Sequence, residues 1–175
     1  MRWSSLEREV FRLWKAYRGR RAAVGEIAPL VEGTRLRLGT IPDTAWRDPY
    51  VIGFLGMLIT FIATRNTGPL DTDDLAAVQA GAWADITTMP GDFVGEEICY
   101  LSTSNDNRFI IGCRNAESFV RALDTVSRQG ERLDERSAAS LAGDREVRSA
   151  LWSRYFDAQL IEPSNLEIYQ LEFGS

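Results

Sequence analysis

Histidine is absent from this 175-residue chain. That removes Ser-His-Asp and Cys-His catalysis, His-ligated zinc and imidazole pH switches. Cysteine occurs twice, at Cys99 and Cys113, so a four-cysteine zinc site cannot form within one chain. Lysine occurs once, and any Ser-Lys pair or Schiff base would have to use Lys15. A Walker loop, a G-x-G-x-x-G turn and a G-x-S-x-G elbow are all missing. So are internal repeats and low-complexity tracts. Asp, Glu, Tyr and Cys are what is left for acid–base work. The start, "MRWSSLEREVF", lacks the apolar run of a signal peptide, which sets a cytoplasmic expectation.

What is present is ordinary for a globular protein: 45% hydrophobic and 26% charged residues. At this length folding buries roughly 70% of the unfolded surface, so residues 1–175 read as one globular domain needing no metal or disulfide staple. The net charge of −5 is unevenly spread. Residues 1–21 hold seven basic side chains (Arg2, Arg8, Arg12, Lys15, Arg18, Arg20, Arg21) against Glu7 and Glu9, a surplus of +5 that leaves −10 on the remainder. Such an acidic body is a poor match for nucleic acid.

"YVIGFLGMLITFIAT", residues 50–64, is the strongest local signal. Asp48 can cap this helix and Pro49 suits its first position. The uncharged run from Pro49 to Thr64 is sixteen residues, about 24 Å at 1.5 Å per residue. A span needs ~20 residues, so no transmembrane segment is expected. Gly53, Gly56, Thr60, Ala63 and Thr64 make a small-residue stripe that suits close packing against another helix, and the opposite side is apolar too.

Around this helix the pattern predicts an α+β fold: about five helices around a small, mainly antiparallel sheet containing a β-hairpin and a C-terminal strand. Residues 1–21 contain a basic amphipathic helix, with Leu6, Val10, Leu13, Trp14 and Tyr17 at helical spacing. Its plain reading docks that apolar side on the core and leaves Arg8, Arg12 and Lys15 in solvent. Its sharper reading is a partner-binding or membrane-surface helix. Residues 19–47, broken by glycines and prolines, read as loop, with "TRLRLGT" a short edge strand pointing Arg35 and Arg37 together. Asp71 or Thr72 caps the next helix. Residues 92–114 alternate like a hairpin turning at Asn105–Asn107, a register that sets Cys99 opposite Cys113. Asn115 and Asp144 each suit a helix N-cap, and "NLEIYQLEF" alternates like a final strand.

Three functional readings follow. The leading one is a non-catalytic binding module that self-associates, or binds a protein partner, through Trp3, Leu6, Arg8, Arg12 and Trp14. The alternative is a carboxylate-based enzyme, such as a hydrolase, holding a divalent metal on Asp71, Asp73 and Asp74; helix capping is the stronger explanation of those aspartates. The third is a thiol redox pair, Cys99 and Cys113, with Cys113 activated by Arg114 and a helix N-terminus. Two inert packed thiols are the plainer account of that pair. The leading reading implies no cofactor.

Overall fold

The computed structural model describes residues 5–132 and 138–161, and among these every regular element is helical. The elements run α1 (Ser5–Leu38), α2 (Asp43–Trp46), α3 (Pro49–Thr67), α4 (Thr72–Thr87), α5 (Gly91–Thr103), α6 (Asn107–Arg132) and α7 (Ala138–Trp152). A π-helical turn, Ser153–Asp157, then leads into α8 (Ala158–Ile161). The expected α+β fold is therefore corrected to an all-helical one. The expected C-terminal strand lies outside the described residues.

α3 forms as its sequence predicts. The Asp48 side chain accepts the Tyr50 N–H at 2.9 Å and Pro49 opens the first turn. Gly68, at φ 74°, ends the helix, a conformation a side chain would oppose. The helix is nineteen residues, longer than its uncharged run, and so passes the length test for a membrane span. In this fold α1, α4, α5 and α6 pack on it, and Val51, Ile52, Phe54, Leu55, Leu58 and Ile59 are all buried.

The tightest partner is α6. A Cβ at Gly53 would overlap the Phe109 carbonyl oxygen, and one at Gly112 would overlap the Tyr50 carbonyl oxygen. The two backbones touch at glycines contributed from both sides. Phe54 then reaches Phe119 at 6.0 Å, Trp152 at 5.7 Å and Phe156 at 5.9 Å between ring centroids. These tilted and edge-on pairs each add about 0.5–1.5 kcal/mol beyond area burial. They draw α7 and the π turn onto the α3–α6 pair.

The expected hairpin is two helices. In α5, Val94, Ile98 and Leu101 recur at helical spacing and point inward. In α6, Phe109, Gly112, Ala116 and Phe119 do the same. Residues 92–114 thus satisfy both periods over short windows, and burial against α3 selects the helical one. The turn survives in a new role. Asn105 adopts φ 52°, and Asp106 accepts the Phe109 N–H at 2.9 Å, capping α6. Asn115 is consequently mid-helix, and its amide donates to the Tyr50 hydroxyl at 3.0 Å. That hydroxyl donates in turn to the Tyr155 carbonyl at 2.5 Å, and burial pushes the phenol pKa up. Asp144 likewise falls inside α7 rather than capping it.

Residues 19–38, read as loop and edge strand, continue α1 through Pro29. Ala23, Ile27, Val31 and Thr34 are buried at helical spacing, and this packing outweighs the local breakers. Pro29 leaves the Gly25 carbonyl without its helical donor, but Gly25 is exposed and water can serve it. Helical geometry separates Arg35 from Arg37. Arg35 bonds Glu32 at 3.2 Å, whereas Arg37 reaches Asp157.

Asp157, in the π turn, is 4% exposed. Its carboxylate accepts the Thr34 hydroxyl at 2.5 Å, Arg37 at 2.6 and 2.8 Å, and the Ser153 hydroxyl at 2.8 Å. The Trp152 indole N–H donates to Thr34 at 2.8 Å. None of the buried side-chain polar atoms in this knot is left without a partner, which a buried network requires. It fastens the end of α1 to a segment some 120 residues later.

Two outcomes are expected from denaturant unfolding. Gly112→Ala should cost at least ~1–3 kcal/mol by overpacking. Gly25→Ala, with open space around it, should stabilise by roughly 0.5–1 kcal/mol. Wild-type stability for Gly112→Ala would mean that the α3–α6 contact is looser than described. Separately, Asp157→Ala should cost about 1.5–3 kcal/mol, the range for charged hydrogen bonds lost from a buried site. A loss below 0.5 kcal/mol, near the floor for even a neutral bond, would deny the knot its fastening role.

Candidate interaction surface

α1 presents its two faces opposite to the plain expectation. Val10, Phe11, Leu13, Trp14 and Tyr17 lie on the solvent side, each at least half exposed, from 50% for Trp14 to 67% for Leu13. At 3.6 residues per turn these positions share an arc of about 160°. Arg18 and Arg21 lie within the same arc and are also exposed. Phe11 and Trp14 stack with centroids 5.9 Å apart, and the Arg18 guanidinium sits over the Trp14 ring at 5.3 Å.

The reason lies on the other face. Arg12 pairs with Asp71 at 3.2 Å and Asp74 at 3.1 Å, at the start of α4. Lys15 donates to the Pro69 carbonyl at 2.6 Å. One turn on, Gly19 packs against Ala63, the nearest atom to a Cβ there lying at 3.2 Å. Further along, Arg20 makes a two-point contact with Asp85 at 2.7 and 2.8 Å, holding that carboxyl below the usual range. Arg12 and Arg20 thus dock on the acidic α4 and Lys15 on the segment before it, and the aromatic residues are left outside with Arg18 and Arg21.

Of the residues expected at an interface, Trp14 is on this surface and Arg12 is turned away from it. Trp3 lies outside the described residues, as do the side chains of Leu6 and Arg8. Phe11 and Tyr17 complete the patch. Tyr17 was legible as part of the amphipathic spacing, but Phe11 falls outside the a/d-like spacing and gave no signal of its own.

The other two expected sites are dispersed or already engaged. Asp71 caps α4 by accepting the Asp74 N–H at 2.8 Å, and both side chains face Arg12. Among the described residues no three potential metal-ligating side chains converge. Cys99 is exposed on α5, and Cys113 is half-buried in the second turn of α6. Without a hairpin the cysteines do not oppose each other across strands. Cys113 also has no helix N-terminus beside it, its thiol donates to the Gly53 carbonyl at 3.6 Å, and burial pushes its pKa up. A reactive thiolate needs the reverse.

A cleft of about 390 Å³, solvent at its mouth included, opens beside α1, α3, α6 and α7. Leu30, Leu58, Phe61 and Val120 are among its apolar lining. Arg65 and Arg148 both turn to Glu26 at its rim, at 3.0 and 3.7 Å, and Arg65 also meets Asp124 at 3.6 Å. Two arginines against two carboxylates leave no surplus charge to select an ionic ligand.

No family model matches the chain, and no curated protein or solved structure is significantly similar to it.

Thiol titration checks the cysteine assignment. Under native conditions Cys99 should react promptly with an aromatic disulfide reagent, and Cys113 at least roughly tenfold more slowly, since rate follows thiolate fraction and access. Equal rates would place Cys113 in an open, activated setting.

Proposed function

We propose that the protein is a non-catalytic helical interaction module whose docking surface is the outer face of α1. One observation carries the reading: five large apolar side chains and two arginines share one exposed arc of a single helix. Single exposed hydrophobics are normal on protein surfaces, but a contiguous apolar patch marks a binding site. Trp, Tyr and Arg are also the residue types that dominate binding energy at interfaces. The remainder of the fold supports a binding role by holding this helix rigidly. Arg12, Arg20 and Arg37 tie α1 to α4 and to the π turn along its length. A docking helix held in this way loses little conformational freedom on association.

Site-specific photo-crosslinking in cells tests the reading. A benzophenone amino acid placed at Leu13 or Tyr17 should give a discrete protein adduct. The same probe at Glu117, exposed on α6, should give none. Adding Trp14→Glu should abolish the Leu13 adduct while leaving the melting temperature within a degree or two, because Trp14 is half exposed and its ring meets Phe11 and Arg18 on the same outer face. Equal labelling at Leu13 and Glu117 would sink the docking role.

A further inference from the structure

Resting on that docking role, we infer that the partner is a second copy of the chain, with the two α1 helices packed antiparallel about a two-fold axis at Trp14. The charge and shape of the arc are complementary to themselves. In an antiparallel pair centred on residue 14, position 7 of one helix lies opposite position 21 of the other. Glu7 and Arg21 are both exposed and stand on the same arc as Trp14. Each helix therefore presents an acid where its partner presents a base, twice per dimer, as an isologous interface demands. A parallel pairing would instead set Glu7 against Glu7 and Arg21 against Arg21.

The apolar positions fit the same register. Phe11 and Arg18 occupy one flank of the arc, three residues before and four residues after the axis. Antiparallel pairing brings Phe11 beside the guanidinium of Arg18 in the other copy, a favourable cation–ring geometry. Leu13 and Tyr17 occupy the other flank, and Leu13 of one copy meets Tyr17 of the second. The two Trp14 rings meet on the axis. Side chains at i, i+3, i+4 and i+7 (Val10, Leu13, Trp14, Tyr17) form the repeating ridge on which helix pairs interlock. The register also differs from a salt-driven contact between the basic segment and the acidic body. Arg12 and Arg20 already spend their charge on α4 within the same chain.

The test uses purified full-length chain carrying Cys99→Ser and Cys113→Ala, with mass measured by light scattering and sedimentation. A dimer is expected at micromolar concentration. Glu7→Arg alone and Arg21→Glu alone should each weaken it about tenfold, because like charges then face each other. The double exchange should restore wild-type affinity, a rescue that altered folding cannot mimic. In the same background Trp14→Cys should form a covalent dimer on mild oxidation, since a residue on the axis meets its own copy. Val10→Cys should not. A dimer with neither charge rescue nor a Trp14→Cys crosslink overturns this register. A monomer at 100 µM overturns the second copy as partner, and a cellular adduct at Leu13 of any mass other than a dimer would then leave the docking role standing. A monomer with no adduct removes both.

Discussion

The close backbone contact between α3 and α6 is the constraint on which the other packing depends. Gly53 and Gly112 remove the side chains that would hold the two helices apart. At that separation Phe54 reaches the rings of Phe119, Trp152 and Phe156 together, so a single residue of α3 gathers α6, α7 and the π turn. The cluster in turn positions Asp157 against Thr34 and Arg37 at the end of α1. α3 is thereby enclosed by its neighbours as the central helix of the core.

The second organising force is electrostatic, and it acts within the chain. The basic first segment and the acidic body attract, and part of that attraction is consumed where α1 crosses α4. Exposed ion pairs of this kind are individually worth little, about 0–1 kcal/mol. Their importance is directional. A helix has one inward face, and if Arg12 and Lys15 occupy it beside Gly19, the positions half a turn away must face solvent. The aromatic arc is the consequence. Its exposure is costly for an isolated chain and useful for one that docks.

The carboxylates and thiols illustrate the same economy. Asp71 and Asp74 serve a helix start and an arginine at once. Cys113 fills a half-buried position against α3 with its thiol on a backbone carbonyl. Chemistry that looked available when only residue types were visible is engaged in holding elements together.

Local features with a short-range cause were legible in the sequence: the Asp48–Pro49 start of α3, the Asp71 cap of α4, the turn at Asn105–Asp106 and the burial of the 49–64 run. Each depends on residues within one helical turn or on composition alone. The period of residues 92–114 was ambiguous, because short windows fit two and 3.6 alike, and only contact with α3 favours the helix. α1 runs through Gly25 and Pro29 because distant residues supply the packing that local propensity withholds. The facing of its first half was equally hidden. Amphipathic spacing shows that Val10, Leu13, Trp14 and Tyr17 share a side. Which side meets the core was decided by the aspartates of α4, about sixty residues away in the chain.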